Sequence, residues 1–328
     1  MSHILEVKDL SLHYLTRFGQ KVSAVTDVSF TMKQGEILGI AGESGCGKST
    51  LVNGLMGLFI PPLYPTGGDV LVSGESLMNR TPQDIRKNIL SQKVSMIPQG
   101  AFNALNPTRK IKDIAADVMA AHSASQGKNI SKHDIYKRLK DRFDLFGMET
   151  EHILNSFPIQ LTAGERQRSV IGISTLLNPK VVIADEPTSA LDVTTQKVVI
   201  KMIFDLLEKN IFSTMIFITH ELPLLRHVAH NIAIMYAGEF VEYGTAVQVV
   251  HDPRHPYTKA LMGAMLSADS EQKNRKPTTI EGAPPSLAKK IEGCRFADRC
   301  PSARPECKKN TQNLKTVGGR LVRCDYAE

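Results

Sequence analysis

Eight consecutive residues, Gly42-Glu43-Ser44-Gly45-Cys46-Gly47-Lys48-Ser49, restrict the folds open to this chain more than anything else in it. They fit the pattern G-x-x-x-x-G-K-[ST]. An apolar run from Ile37 to Ala41 leads into them, and Thr50-Leu51-Val52 opens a helical pattern behind them. Strand, loop and helix in that order are the context the pattern needs. The glycines let main-chain N–H groups converge on phosphate oxygens without side chains in the way. The helix adds about half a positive charge at its N-terminus. In this reading Gly42, Ser44, Gly45, Cys46, Gly47 and Thr50 line a triphosphate, Lys48 bridges its terminal phosphates, and Ser49 ligates Mg²⁺. Cys46 has two readings. It is a passive spacer, or the helix terminus and Lys48 lower its thiol pKa, so that alkylation blocks ATP binding.

The chain has 328 residues, enough for one large α/β domain and an appendage. No run approaches the roughly 18 to 20 apolar residues of a membrane-spanning helix, and Met1 to Glu6 lacks the charged head and apolar middle of a signal peptide. The expected place is the cytosol, or a membrane face reached through a partner. A net charge of +7 suits a polyanionic ligand, a nucleic acid or an anionic membrane, and equally a mildly basic surface.

Residues 1 to about 36 alternate apolar and polar, as antiparallel strands do. Residues 68 to 98 read as strand, short helix and strand, and 108 to 178 as helices. Val181 to Ala184, Met215 to Ile218 and Ile232 to Tyr236 are short, wholly apolar runs, the pattern of parallel strands buried on both faces. Strands alternating with helices predict a parallel sheet covered on both sides. Ligands of such sheets bind beyond the carboxyl ends of the strands. Lys48, Asp185, Glu186 and His220 all fall at such ends, so one site can collect them. Asp185 is read as a Mg²⁺ ligand and Glu186 as the general base for an attacking water. His220 is read as a hydrogen-bond partner of the γ-phosphate and that water. Residues 268 to 286, polar with three prolines, read as a linker.

These residues, with four further segments in order, resemble the ATP-binding subunit of ABC transporters over residues 4 to about 260. Gln99 matches the family's Q-loop glutamine, which adds a Mg²⁺ ligand and a catalytic role. Leu161-Thr162-Ala163-Gly164-Glu165 matches the signature segment that caps the partner subunit's ATP. Ser189-Ala190-Leu191-Asp192 matches the D-loop, with Asp192 its acid, and His220 matches the switch histidine. Tyr14 matches the aromatic that stacks on adenine; a core aromatic is the alternative, and Phe18 competes for the role. The signature departs from the usual Leu-Ser-Gly-Gly-Gln. Ala163 adds a Cβ that would cost about 1 kcal/mol if the backbone there had positive φ. Glu165 places a negative charge near another anion. The expectation is an intact site on this chain, a weakened one on its partner, and so unequal ATP sites in a heterodimer.

Four of the five cysteines, Cys294, Cys300, Cys307 and Cys324, crowd the last 35 residues. Their spacing lacks the C-x2-4-C knuckle usual in structural zinc sites. From spacing alone an iron–sulfur cluster, zinc and free thiols all stay open, with the cluster favoured. Arg295, Arg299, Arg304, Lys308, Lys309 and Arg323 lie among them and suit an anionic cluster. His255-Pro256-Tyr257-Thr258, Ile280 to Pro285 and Gly293-Cys294-Arg295-Phe296 resemble the C-terminal extension of dipeptide, oligopeptide and nickel importer ATPases. Members with four such cysteines are associated with a [4Fe–4S] cluster.

The resemblance implies a P-loop ABC ATPase fold with a parallel-sheet core, an antiparallel β subdomain and a helical subdomain at about 100–178. That domain spans 1–260, and a small metal-cluster extension spans 261–328. It implies ATP, Mg²⁺ and a [4Fe–4S] cluster as cofactors. It implies a second ATPase subunit, two permease subunits and an extracytoplasmic binding protein as partners, and a peripheral place on the cytoplasmic side of the inner membrane. Peptides are the expected cargo, with nickel and oligosaccharides as alternatives. A DNA-associated ABC-type ATPase is the competing reading. Against it, no heptads separate the phosphate loop from the signature, and no basic–aromatic platform for bases is visible. A two-cassette translation factor and an electron-transfer protein fit less well.

Overall fold

The structure, a computed structural model, describes residues 3–125, 127, 131–189, 191–265, 280–289 and 291–327. The strands are β1 (Leu5–Leu15), β2 (Lys21–Met32), β3 (Ile37–Ala41), β4 (Leu63–Val72), β5 (Glu75–Ser76), β6 (Val94–Ile97), β7 (Val181–Asp185), β8 (Thr214–Ile218), β9 (Asn231–Tyr236), β10 (Glu239–Thr245), β11 (Lys315–Val317) and β12 (Arg320–Val322). They form two sheets. The smaller has the order β2-β1-β4-β5 and is antiparallel throughout. The larger has the order β11-β12-β10-β9-β3-β8-β7-β6. Its section β9-β3-β8-β7-β6 is parallel, and the β9–β10, β10–β12 and β12–β11 pairs are antiparallel.

The apolar runs explain the centre of the larger sheet. Successive side chains of a strand point to opposite faces, so a strand covered on both sides must be apolar throughout. In β8, Met215 and Phe217 enter one core while Ile216 and Ile218 enter another. In β7, Val182 and Ala184 divide from Val181 and Ile183 in the same way. One core lies under the helices. The other lies between the sheet, the helix Lys48–Leu55 and the antiparallel sheet. Each fully buried Ile, Phe or Met contributes about 1.5 to 3 kcal/mol.

Between β6 and β7 the chain forms the helices Ile111–Ser125, Lys132–Asp144, Thr150–Asn155 and Ala163–Ser174. Met119, Leu139, Phe143, Ile153 and Val170 bury their shared face. The expected helical stretch is therefore present. The end of the chain is joined to the body: β12 extends the main sheet at β10, and the Arg320 guanidinium lies 3.4 Å from the fully buried Glu242 carboxylate. Residues 266–279, which include most of the expected linker at 268–286, lie outside the described residues, as does Ala190 of the D-loop motif. Among the described residues, no helix is long and apolar enough to cross a membrane.

Candidate active site

β3, β8, β7 and β6 are parallel neighbours, so their carboxyl ends share one edge of the sheet. Register then sets height: Ile97 lies beside Ala184, Asp185 beside Ile218, and Ile40 beside Ile218. The residues just past these strands are Gln99, Glu186, His220 and the phosphate loop. They come from four distant parts of the chain and arrive at one place because the register carries them there.

In the loop, the two glycines that cannot be replaced are Gly42 and Gly47. A Cβ on Gly42 would stand 2.1 Å from the Met235 carbonyl oxygen, and one on Gly47, at φ +108°, would stand 2.4 Å from that of Ala24. Lys48 Nζ donates to the carbonyls of Gly42 at 2.7 Å and Glu43 at 2.9 Å, so the lysine rests across the cradle. Ser44, Gly45 and Ser49 are exposed there, while Gly42, Cys46 and Thr50 are buried. Thr50 bonds the Tyr14 hydroxyl at 3.1 Å. Tyr14 is half-buried against the antiparallel sheet's core, whereas Phe18 is 98% exposed.

Glu186 is the centre of the acidic group. Gln99 Nε2 donates to its Oε2 at 2.8 Å, and His220 Nδ1 lies 3.0 Å from its Oε1. A carboxylate only accepts, so this pairing requires a proton on Nδ1 and leaves Nε2 facing away from Glu186. Glu186 adopts φ +47°, a left-handed conformation that costs a non-glycine residue about 1 kcal/mol. Its N–H bonds the Ile218 carbonyl at 2.9 Å, and its own carbonyl accepts from Ser189 Oγ at 2.9 Å, which hold the strained turn. Burial raises the Asp185 carboxyl above the usual range; the Glu186 charge adds to this and Lys48 opposes it. The lysine and the two acids therefore share one electrostatic site.

The signature segment lies apart from this group. Thr162 caps the helix Ala163–Ser174 and forms a reciprocal capping box with Glu165. Glu165 Oε2 accepts from Thr162 N–H at 2.9 Å and from its hydroxyl at 2.8 Å, while Glu165 N–H donates back to that hydroxyl at 3.2 Å. These bonds hold the Glu165 carboxyl below its ordinary range. Leu161 is buried beneath the cap. The strain expected at Ala163 is absent, because this residue sits in the first helical turn with ordinary φ. The close approach belongs to Gly164, where a Cβ would stand 2.6 Å from Thr195 Cγ2. Asp192 caps the helix Val193–Glu208, accepting from the N–H groups of Thr194 and Thr195 at 3.0 Å each.

The expectation of a low-pKa, reactive Cys46 is corrected. Its thiol is 4% exposed, and burial raises its pKa more than the neighbouring Lys48 lowers it.

In the C-terminal segment, Cys294, Cys300, Cys307 and Cys324 are all free and line one cavity of about 1010 Å³. Burial pushes the Cys294 thiol up to about 11 and also raises Cys300 and Cys324, with the other thiols adding to the effect. Cys307 Sγ accepts the Arg304 N–H at 3.4 Å, and the main-chain groups of Phe296, Ser302 and Tyr326 partly offset the rise at Cys294, Cys300 and Cys324. Yet among the described residues no group of three or more His, Cys, Asp or Glu is arranged to hold a metal ion. Of the six expected cations, Arg299 and Arg304 line this cavity, and five of the six engage protein partners. Arg295 pairs with Glu239 at 3.1 Å, Arg299 with Glu43 at 2.7 Å and Lys308 with Asp298 at 2.8 Å. Arg323 donates to the carbonyls of Phe240 and Gln312, and Arg304 stacks on Tyr326. These side chains are committed to protein partners.

Sequence reasoning missed that Tyr257 and Arg299 touch the phosphate loop. Both stood in motifs already noted, but nothing in their spacing points to Glu43.

The ABC transporter family model matches residues 25–189, and the model of the oligopeptide/dipeptide transporter C-terminal region matches residues 241–307. The chain is 35% identical to the dipeptide transport ATP-binding protein DppD of Caldanaerobacter subterraneus, covering 100% of this chain and 98% of that protein. It is 38% identical to the oligopeptide transport ATP-binding protein OppD of Bacillus subtilis, covering 91% and 82%. It is 33% identical to the dipeptide transport ATP-binding protein DppF of Escherichia coli, covering 98% and 93%. Among solved structures, a dimeric post-hydrolysis state of the ATP-binding cassette MJ0796 with ADP and Pi superposes with a TM-score of 0.63. It is 25% identical and covers 74% of this chain and 98% of that one.

Proposed function

Because the chain belongs to the ATP-binding subunits of dipeptide and oligopeptide ABC transporters, a family that hydrolyses ATP, we propose that it drives peptide import as one of two paired ATPase subunits. The pair sits on two permease subunits that receive cargo from an extracytoplasmic binding protein, on the cytoplasmic face of the inner membrane. The observation that carries the reading is the convergence of Gln99, Glu186 and His220 beside the phosphate loop. A DNA-associated role finds no support in these relatives.

In this reading Lys48 leaves the Gly42 and Glu43 carbonyls to meet the β- and γ-phosphates. Glu186 accepts the proton of the attacking water on a lone pair that Gln99 and His220 leave free. His220, already oriented by Glu186, donates Nε2–H to the γ-phosphate as the imidazolium. Bound Mg²⁺ neutralises charge developing on the phosphates. Ser49, Asp185 and Gln99 are its proposed ligands. The Gln99 amide nitrogen is committed to Glu186, which leaves its carbonyl oxygen for a cation. Tyr14 is the proposed adenine platform, and Asp192 the acid facing the partner subunit. The proposed boundaries remain 1–260 for the ATPase domain and 261–328 for the extension.

Two finer readings belong here. Thr162 donates its hydroxyl to Glu165 and so withholds it from a phosphate; together with the Glu165 charge, this supports a weakened ATP site on the partner and unequal turnover. For the extension we propose a four-thiolate [4Fe–4S] site at Cys294, Cys300, Cys307 and Cys324. What supports the reading is that all four cysteines line one cavity of about 1010 Å³, more room than a single ion needs. Anaerobically purified protein should be brown and carry iron and sulfide. Zinc, or no metal, sinks that assignment.

The main test is uptake. With its partner subunits in vesicles, the chain should couple Mg²⁺-dependent ATP turnover to dipeptide or oligopeptide entry. ATP turnover that no peptide and binding protein stimulate overturns the cargo assignment while leaving the ATPase intact.

A further inference from the structure

Glu43 is an anion inside a loop built to hold a polyanion, and the structure shows what restrains it. Arg299 grips the carboxylate with both arms: Nη1 donates to Oε2 at 2.7 Å and Nη2 to Oε1 at 3.0 Å. Such a fork is the strong form of ion pair. Its arginine is 5% exposed. The guanidinium is itself held, with Nε on the Glu281 carbonyl at 3.0 Å, Nη2 on that of Ile280 at 3.2 Å and Nη1 on the Tyr236 hydroxyl at 3.2 Å. Tyr257, fully buried, accepts the Glu43 N–H at 2.9 Å. Its ring packs 4.5 Å from Tyr236 and 5.4 Å from Phe296, so the segment from Cys294 to Cys300 backs directly onto the loop.

We propose that Arg299 is a positioning residue of the nucleotide site: it turns the Glu43 carboxylate toward the extension and neutralises it, so that the loop meets the triphosphate without an opposing charge. Once Lys48 leaves the Glu43 carbonyl for the phosphates, the Cys46 N–H still holds that carbonyl, Tyr257 the Glu43 N–H, and Arg299 the side chain. The inference rests on ATP occupying the phosphate loop, and on nothing about what the thiols hold.

The test is Mg-ATP affinity and steady-state turnover of the full complex with Arg299→Gln, Glu43→Gln and the double variant. Arg299→Gln frees the carboxylate and should weaken ATP binding about tenfold. The loss should appear in KM with kcat nearly unchanged, because the groups facing the attacking water are untouched. It should shrink as salt screens the freed charge. Glu43→Gln should bind at least as well as the parent, and the double variant should return to within about twofold of it. A contact that only braces the fold predicts the reverse, with Glu43→Gln as damaging as Arg299→Gln and no rescue in the pair. Either that pattern or parental affinity in Arg299→Gln overturns the proposal. Should Arg299→Gln fail to fold, Glu43→Gln alone decides: weakened binding overturns the proposal, and preserved or tighter binding supports it. Parent protein that binds no Mg-ATP would instead overturn the nucleotide reading on which this depends.

Discussion

Glu186 and Glu165 reach their partners by different routes. Glu186 is bonded to Gln99, 87 residues away, and to His220, 34 residues away, and it holds a left-handed backbone to do so. Glu165 is bonded to Thr162, three residues away on the same turn of chain, with no strain. The first arrangement exists only while the whole sheet is in register. The second is complete in one helical turn. The costly, assembled carboxylate is the one proposed to take the proton of water; the local one shapes a helix end.

The largest break in this comparison should come from Glu186→Gln. Turnover should fall by about 10²- to 10⁴-fold while Mg-ATP binding persists, as removal of a general base predicts. Turnover within tenfold of the parent would strip Glu186 of that role. Thr162→Ala should remove the capping box at about 1 kcal/mol, lowering Tm by about 2 to 4 °C with this chain's own ATP affinity unchanged. Glu165→Gln keeps an acceptor for the cap and removes the charge, so it should barely move Tm and should raise turnover at the partner's site. Equal turnover at both sites before and after that change, measured by site-resolved trapping, would end the case for unequal sites.

The smallest effect concerns Asp185. Its folded pKa is raised, so the native state holds its proton to higher pH than the unfolded chain does. Stability from this group is therefore lost as pH rises through the window between the unfolded and folded pKa values. Half-buried and partly screened, Asp185→Asn should raise the Tm of nucleotide-free protein at neutral pH by about 1 to 2 °C, while impairing Mg²⁺-dependent turnover. A lowered Tm, read by melting across pH 4 to 7, would mean that the carboxylate is stabilised where it lies. His255 offers a contrast of opposite sign. Burial holds its imidazole down to about 3, so it stays neutral in the fold and costs stability as pH falls below the ordinary histidine range.

The sequence by itself determined what covalent spacing controls. The phosphate loop is one unbroken segment, the central strands announce their two-sided burial by unbroken apolar runs, and Thr162 lies three residues from Glu165 as a capping box requires. Tertiary structure alone decided what distant segments do to one another. Packing buried Cys46 and raised its pKa where local charges predicted the opposite. Sheet register joined Gln99 and His220 to Glu186, and packing of the extension joined Arg299, a residue lining the cysteine cavity, to Glu43 across 256 residues. Electrostatic pairing depends on distance in space and on exclusion of water. Neither quantity can be read along a chain until the fold has fixed both.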